Sequence, residues 1–327
     1  MAIIQDGKVT AEVSDLGDLS HATVKFHRGA AYVVSRDGWL SRIDAASRTP
    51  SARARVGQSS IGLTFLDNYV AVANYEPREV VILDLLLREV KRIPTGSRVV
   101  GIKAWGDRLA VALMDKDELW VLNARQDFGL EKSIVQAGAM PFDALLWQEQ
   151  YVVGFYKEPV VGVLDLKSLA YHRVELKSEE GLPILKIPHF GQWGVEAQRA
   201  YLPIPGSPTL AQLDLRTLAC QHRVELPGLP VFATLSPDGR LLAVNYSGPQ
   251  ENLVTLLDPE TLKILQNVEV GERVMHLRFS PDSKRLYASC YFENQVKSLS
   301  GVPWKVEGMV PVPGPSGVFL VPQEEKP

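Results

Sequence analysis

The sequence predicts an all-β fold, an eight-bladed β-propeller with four antiparallel strands per blade, and two observations carry this prediction. A short apolar run that ends in an acidic or small polar residue recurs about every 42 residues, which is the length of a propeller blade. Four strand-like runs separated by turn residues fit each interval. The recurring end residues are Asp44, Asp84, Asn123, Asp165, Asp214, Asp258 and Ser298.

Seven complete modules follow one another, each with strands that we call a, b, c and d. Residues 61–93 show the order as IGLTFLD, YVAVANYE, VVILDLL and VKRIP. The turn sequences SPDGR (236–240) and SPDSK (280–284) fall between strands a and b, where a tight reversal is needed. The modules cover residues 20–56, 61–93, 99–135, 142–176, 189–226, 231–270 and 274–312.

The two chain ends supply the predicted eighth blade. MAIIQDGKVTAEV at the N-terminus fits outer strands, and SGVFLVP near the C-terminus fits an innermost strand a. Joining them closes the ring and removes exposed sheet edges. Seven blades with unpaired ends is the alternative. No linker interrupts the array, so a single domain over residues 1–327 is expected.

Composition and motifs exclude several function classes. The formal net charge is -3 and the pI is near 6.1, which gives no general attraction to nucleic acid. No apolar run is long enough to span a membrane. Cys220 and Cys290 lie 70 residues apart in strand-like runs and are expected to be free, buried thiols. Phosphate-loop, GxGxxG, HExxH and CxxCH motifs are absent from the sequence.

Propeller geometry predicts that the d-to-a and b-to-c loops open on one face. Imidazoles, cations and aromatic rings would then surround one mouth and suit a large, flat, acidic, conjugated ligand. An ordinary solvated face explains each residue as well. The d-to-a loops carry His21, Arg98, His189 and His276, and the b-to-c loops carry Arg36, Tyr75, Arg78, Asp115, Lys116, Tyr156, Tyr246 and Tyr291.

Several long strings resemble the NirF family of heme d1 biosynthesis proteins, which is similar to the d1-carrying propeller of cytochrome cd1 nitrite reductase. The resemblance extends over nearly the whole chain. The strings are GDLSHA (17–22), SRDGWLSRID (35–44), NYEPREVVILD (74–84), SRVVGI (97–102), MDKDELWVL (114–122), PFDALL (141–146), LPILKIPHFGQWGV (182–195) and LPVFATLSPDGRLLAVN (229–245).

The resemblance implies that the upper face binds heme d1 or an intermediate such as dihydro-heme d1. His21 falls at the position of the axial iron ligand, and His189 lies on the opposite side of the macrocycle as a second ligand or proton donor. Arg36 and Arg98 would pair with the carboxylates of the tetrapyrrole. Further candidate binding residues are Tyr75, Asp115, Lys116 and Tyr246.

Whether a reaction is catalysed stays open at this point. In a catalytic version, His21 and His189 act as general acid and base in side-chain modification of the macrocycle. In a binding version, the protein is a carrier. A protein interaction scaffold without a tetrapyrrole ligand is the alternative from another class, and a propeller lactonase with a channel metal is a weaker one.

The resemblance also implies a periplasmic location, a homodimer, and other heme d1 biosynthesis proteins and nitrite reductase as partners. The first residues, MAIIQDGKVT, show no secretory signal pattern, which makes a cytoplasmic location the alternative.

Overall fold

Short antiparallel strands provide almost all of the regular structure. The computed structural model describes residues 1–20, 22–158, 160–175, 194–196 (backbone only), 198–204 and 207–322. The chain packs as two compact units, whose main ranges are residues 11–174 and 175–320. Each unit is built from four-stranded sheets in which consecutive strands are neighbours. The single-domain expectation stays a prediction.

The first unit contains four such sheets, which we call blades 1 to 4. Blade 1 comprises β3 (Thr23–His27), β4 (Ala30–Val34), β5 (Trp39–Asp44) and β6 (Pro50–Arg55). Blade 2 comprises β7 (Ser59–Leu66), β8 (Tyr69–Glu76), β9 (Glu79–Asp84) and β10 (Glu89–Pro94). Blade 3 comprises β11 (Val99–Trp105), β12 (Arg108–Leu113), β13 (Glu118–Asn123) and β14 (Gly129–Ile134), with a 3-10 turn at Ala124–Gln126. Blade 4 comprises β15 (Pro141–Trp147), β16 (Gln150–Phe155), β17 (Val160–Asp165) and β18 (Tyr171–Glu175).

The second unit contains three sheets, blades 5 to 7. Blade 5 comprises β19 (Gly194–Glu196), β20 (Arg199–Ile204), β21 (Thr209–Asp214) and β22 (Cys220–Glu225). Blade 6 comprises β23 (Leu229–Leu235), β24 (Leu242–Ser247), β25 (Leu253–Leu257) and β26 (Ile264–Glu269), with a 3-10 turn at Gly248–Gln250. Blade 7 comprises β27 (Val274–Phe279), β28 (Leu286–Cys290), β29 (Gln295–Ser300) and β30 (Lys305–Pro311).

The prediction of eight blades is wrong, and the seven-blade alternative is correct. The N-terminal strands β1 (Ala2–Gln5) and β2 (Lys8–Glu12) pair with each other in a two-stranded sheet. Residues 312–322 contain no strand. The backbone N–H of Val318 donates to His276 Nδ1 at 3.0 Å instead of joining a sheet. The described residues therefore form an all-β fold with the seven four-stranded blades of a β-propeller.

The repeated acidic residue lies at the end of the third strand of a blade, or directly after it as Asp258 does, and closes the turn that follows. Through Oδ1, Asp44, Asp165 and Asp258 each accept two backbone N–H groups, two and three residues further on, at 2.7–3.1 Å. These hydrogen bonds favour the charged carboxylate and lower the pKa of each aspartate. Asn123 accepts from Arg125 N in the same way at 2.9 Å. The residue that recurs about every 42 positions in the sequence therefore marks the turn after the third strand of a blade.

The middle two strands of each blade supply the core. In β8, Val70 to Ala73 are fully buried, because neighbouring blades cover both faces of the sheet. The buried clusters lie between successive blades of a unit, as where Tyr32 of blade 1 packs with Val72 of blade 2. Buried asparagines join blades as well. Asn74 Nδ2 donates to Val56 O at 2.6 Å and its Oδ1 accepts from Ser60 Oγ at 2.6 Å.

The innermost strands of blades 2, 3, 4, 6 and 7 have a β-bulge near their first residues. In β7 the pairing skips Ile61, in β11 it shifts between Val100 and Lys103, and in β15 it shifts between Pro141 and Ala144. The innermost strands of blades 6 and 7 shift at the same level. Bulges occur often beside functional sites, because they redirect side chains and end regular pairing.

Candidate ligand-binding rim of the first unit

The loops that follow the second and fourth strands of a blade emerge at the same sheet edge, since consecutive strands are antiparallel. In the first unit these loops are residues 35–38, 56–58, 77–78, 95–98, 114–117, 135–140 and 156–158. We call this set the first-unit rim. Backbone hydrogen bonds tie its loops together, as where Thr95 N donates to Arg78 O at 2.9 Å and Met114 N donates to Arg98 O at 3.1 Å.

Three rim residues, Arg78, Arg98 and Asp115, form with Tyr75 what we call the rim cluster. Tyr75 was predicted in a loop but lies in β8, two residues before that strand's loop. Arg98 donates to Asp115 Oδ1 from Nε at 3.0 Å and from Nη2 at 2.6 Å, and its backbone N–H donates to Asp115 Oδ2 at 2.9 Å. The Arg98 guanidinium lies over the Tyr75 ring, 5.7 Å from its centre. Arg78 approaches Asp115 at 3.8 Å and Glu76 at 3.7 Å. The guanidinium of Arg98 is thus held along one edge by Asp115 and lies with one face toward Tyr75.

The rim cluster is charged in a defined way at neutral pH. The hydrogen bond from Arg98 lowers the pKa of Asp115 and raises the pKa of Arg98, so both groups stay ionised. Burial raises the pKa of Tyr75 to about 12, so its hydroxyl stays protonated and serves as a donor. Within the described part of the chain, Nη1 of Arg98 makes none of the contacts with Asp115 and remains for another acceptor.

An aromatic surface adjoins the rim cluster. Phe142 and Tyr156 meet edge to face with ring centres 4.7 Å apart. Both pack, together with Tyr75, on the buried cluster that includes Tyr151 and Phe155. Sequence reasoning placed Tyr156 at the mouth but did not select Phe142 as a binding residue. The position of Phe142 in the bulge of β15 was not visible, since a bulge depends on strand pairing.

Lys116 and Arg36, the other predicted binding cations of the first unit, differ in the contacts that their side chains make. Lys116 Nζ donates to Thr95 O at 2.5 Å and lies 5.5 Å from the centre of the Trp120 ring. Lys116 therefore holds two rim loops together. Arg36 is exposed, and its backbone is fixed, with N donating to Asp18 O at 2.9 Å and O accepting from Ser60 N at 3.1 Å.

Tyr246 and His276 lie inside strands of the second unit and not in loops. Tyr246, in β24, is 1% exposed and donates to Thr255 Oγ1 at 2.5 Å, which gives it a core role. His276, in β27, is buried, and burial lowers its pKa to about 3, so the ring is neutral. His21 and His189 lie outside the described residues. The binding roles of His21, His189 and Tyr246 stay predictions.

The described residues contain no group of three or more His, Cys, Asp or Glu side chains arranged to hold a bare metal ion. They also contain no helix with the length and apolar character of a membrane span.

The fold is that of a seven-bladed β-propeller, and its first-unit rim carries the fixed Arg98 guanidinium beside the aromatic rings of Phe142 and Tyr156. The chain belongs to the cytochrome d1 heme domain family, whose model matches residues 3–324. It is 31% identical to the NirF proteins of Stutzerimonas stutzeri and Pseudomonas aeruginosa, in each case over 95% of this chain and 85% of the relative. The resemblance to NirF seen in the sequence is confirmed.

Two further comparisons concern more distant proteins. A dihydro-heme d1 dehydrogenase of Pseudomonas aeruginosa is 26% identical over 77% of this chain and 54% of that protein. The solved structure of the dihydro-heme d1 dehydrogenase NirN in complex with DHE superposes with a TM-score of 0.79 at 23% identity, over 91% of this chain and 67% of that chain. A chain of the mitotic checkpoint complex, at 12% identity and a TM-score of 0.65, shares the fold alone.

Proposed function

We propose that this chain acts in heme d1 biosynthesis and binds a heme d1 intermediate, dihydro-heme d1 or a precursor, at the first-unit rim. The family match supports the ligand class. The single observation that carries the location is the Arg98 guanidinium, held by Asp115 above the Tyr75 ring with Nη1 available. A guanidinium that is already fixed loses little conformational freedom when it binds an acceptor.

The residues of the rim fit the chemistry of such a ring. A tetrapyrrole offers a flat conjugated surface and carboxylate side chains. Guanidinium groups bind carboxylates through charge-assisted hydrogen bonds, and both Arg98 and the exposed Arg36 supply them. The rings of Phe142 and Tyr156 supply apolar surface beside them.

His21 and His189 complete the proposal as residues outside the described part. When bound, the macrocycle supplies iron, for which a neutral imidazole is a suitable ligand. We assign His21 as the iron ligand and His189 as a second ligand or proton donor. The chain's own part is to orient the ring through Arg98 and to place the aromatic surface against it.

Two versions of the function differ in whether the ligand is changed. In the first, His21 and His189 transfer protons while a side chain of the ring is modified. In the second, the protein carries the intermediate. Incubation of purified protein with a precursor, followed by mass spectrometry, separates them, because only the first version changes the ligand mass.

The cellular setting of the proposal follows the family. We place the chain in the periplasm, as a homodimer that meets other heme d1 biosynthesis proteins and nitrite reductase. Cell fractionation with antibody detection, and light scattering of the purified chain, test these two statements. Detection of the chain in the cytoplasmic fraction would contradict the periplasmic location, and a monomer would contradict the homodimer. Neither result bears on the ligand-binding proposal.

Titration with dihydro-heme d1, followed by absorption spectroscopy, tests the binding proposal. A charge-assisted hydrogen bond is worth roughly 1.5–3 kcal/mol, so Arg98→Ala should raise the Kd about 10-fold to 100-fold. Arg98→Lys keeps the charge but loses the planar fork and should fall between Arg98→Ala and wild type. His21→Ala should change the Soret band itself, because it removes an iron ligand.

The matched control is Arg125→Ala. Arg125 pairs with Asp107 at 2.6 Å at the opposite edge of blade 3, so it resembles Arg98 in chemistry but not in location. Its Kd should equal that of wild type. Equal affinities of the Arg98 and Arg125 variants would overturn the assignment of the rim. A wild-type protein that does not change the absorption spectrum of dihydro-heme d1 would support the scaffold alternative, which predicts no tetrapyrrole binding at all.

A further inference from the structure

Blade 1 carries an excess of positive charge. Its residues 23–55 include seven lysines and arginines but two aspartates, whereas the whole chain has a formal net charge of -3. Two of these arginines, Arg53 and Arg55, are exposed on β6, the last strand of the sheet β3-β4-β5-β6. One edge of β6 therefore has no neighbouring strand in that sheet. The other charged residues of blade 1 are Lys25, Arg28, Arg36, Arg42, Arg48, Asp37 and Asp44.

One indole holds both arginines of β6. Trp39 pairs with Arg55 across β5 and β6, and Ser41 pairs with Arg53, so Trp39 and the two arginines share one face of the sheet. The guanidinium carbon lies 3.8 Å from the centre of the Trp39 ring in Arg53 and 4.9 Å from it in Arg55. Arg55 Nε also donates to Gly57 O at 2.8 Å. Stacking on an aromatic ring holds a guanidinium and leaves its N–H groups open to an acceptor.

Blade 2 neutralises the arginine at the corresponding position. Arg92 of β10 pairs with the third residue of β9, as Arg53 pairs with the third residue of β5. The Arg92 guanidinium lies 2.5 Å from Glu79 and 2.8 Å from Glu89. Glu79 is the first residue of β9, whereas Trp39 is the first residue of β5. Blade 1 therefore has an aromatic ring where blade 2 has a carboxylate, and its arginines are held without being neutralised.

The acidic residue near these arginines is already engaged. Asp37 feels the charge of Arg55, but its Oδ1 accepts from Asp18 N and from Ser35 Oγ, each at 2.7 Å. Among the residues that the structure describes, neither Arg53 nor Arg55 forms an ion pair with a carboxylate. Both guanidinium groups are thus available to a carboxylate from outside the chain.

We propose that Trp39, Arg53 and Arg55, which we call the blade 1 edge patch, bind an extended, acidic segment of a partner protein. Alternate residues of a strand lie roughly 7 Å apart on one face, so a segment that lies along the free edge of β6 can place two carboxylates opposite the two arginines. A guanidinium binds a carboxylate through two parallel hydrogen bonds. Strand addition to a sheet edge supplies backbone hydrogen bonds as well.

Two other anionic partners fit the blade 1 edge patch less well. A nucleic acid base would stack on an exposed aromatic ring, but Arg53 already covers the Trp39 ring, and the chain as a whole is negatively charged. An anionic membrane attracts cations without regard to their spacing and offers no strand to the edge of β6. The fixed spacing of the two arginines and the open strand edge favour a protein segment.

Fluorescence anisotropy with fluorescein-labelled peptides and the full chain tests the proposal. The probe is an eight-residue peptide of alternating glutamate and threonine. The comparison peptide repeats Glu-Glu-Thr-Thr, so it has the same composition and charge but no two glutamates two positions apart. At low ionic strength, the alternating peptide should bind about threefold to fivefold more tightly, because it can engage both arginines from one face.

Variants of the blade 1 edge patch separate a built site from general attraction. Arg53→Ala should weaken binding of the alternating peptide about threefold to fivefold, the range for an exposed ion pair. Trp39→Leu keeps every charge and should still weaken binding about threefold, because both guanidinium groups lose their support. The matched control is Lys132→Ala, which removes an exposed cation from β14, the outer strand of blade 3, and should leave binding unchanged. Urea midpoints check the folding of each variant.

Equal binding of the two peptides, or equal affinities of the Arg53→Ala and Lys132→Ala variants, would overturn the proposal. Vesicles of phosphatidylcholine with phosphatidylglycerol supply the other arm. Vesicle binding that depends on Arg53, without peptide binding, would assign the patch to a membrane surface and would also overturn the proposal. The blade 1 edge patch shares no residue with the rim cluster, so neither result bears on tetrapyrrole binding at the rim.

Discussion

The replacement Gly101→Ala tests whether the bulge of β11 depends on a close approach of blades 3 and 4. Gly101 has a φ of +56°, in the left-handed region that favours glycine. A Cβ at this position would lie 2.8 Å from Tyr151 Oη and 3.0 Å from Phe142 O. Phe142 is part of the aromatic surface, so a shift of its backbone would disturb the rim.

Two separate effects of Gly101→Ala should lower the free energy of unfolding. The left-handed conformation costs an alanine about 1–2 kcal/mol relative to glycine. Overpacking of a tightly filled interior costs typically about 1–3 kcal/mol. Gly101→Ala should therefore lower the free energy of unfolding by about 2–5 kcal/mol. The Tyr151 ring is fully buried, so it has little room to move away.

Gly106→Ala is the matched control for the backbone cost. Gly106 follows the same strand with a φ of +54°, and an added Cβ there meets no atom within 4 Å. Gly106→Ala should lower the free energy of unfolding by about 1–2 kcal/mol, so the difference between the two variants isolates the cost of overpacking. Tyr151→Phe in the Gly101→Ala background should restore part of the loss, because Tyr151 Oη is the nearest atom.

Urea unfolding followed by circular dichroism supplies the measurement, with m-values to confirm that the transitions are comparable. If Gly101→Ala is no more destabilising than Gly106→Ala, the blades do not meet closely at the bulge. Strand pairing at this bulge would then not position Phe142 beside the rim.

Two further predictions concern the blade framework. Asn245→Ala removes the hydrogen-bond partner of the Phe232 N–H (3.1 Å) and of Val274 O (2.7 Å). Because both backbone groups are left unpaired, the free energy of unfolding measured in urea should fall by about 2–4 kcal/mol. A fall below about 1 kcal/mol would contradict this role of Asn245. The pKa of Asp165 is lowered in the folded state, so its stabilisation is present above the unfolded pKa of about 4 and is lost as the pH falls below it. Asp165→Asn keeps an acceptor oxygen, as Asn123 does naturally, and should weaken the fall in urea midpoint below about pH 4. An unchanged pH profile would contradict the prediction.

The strand order of each blade was readable from the sequence because its causes are local. The turn after strand c is closed by hydrogen bonds that span two and three residues, so Asp165 and Asp258 mark it wherever the rest of the chain lies. The alternating apolar runs marked the buried strands for the same reason. The sequence analysis also placed Arg98 and Asp115 on the same face, since both residues fall in loops at one blade edge, and the structure pairs them.

The predictions were wrong where the outcome depends on which distant segment a strand pairs with. The terminal segments have strand-like composition, but β1 and β2 pair with each other, and Val318 donates to His276 instead of joining a sheet. Tyr246 was predicted in a loop, yet it extends β24 and pairs with Pro230 just before a bulge. Strand-forming composition does not specify the partner strand.

The sequence by itself thus determined the all-β class, the positions of the seven modules, the family, and the loop positions of Arg36, Arg98 and Asp115. Only the tertiary structure decided that there are seven blades, that Tyr246 belongs to the core, and that Phe142 lies at a bulge beside Tyr156. The physical reason is that turns and strand periodicity depend on residues a few positions apart. Bulges, buried charges and blade number depend instead on which strands pack together across the fold.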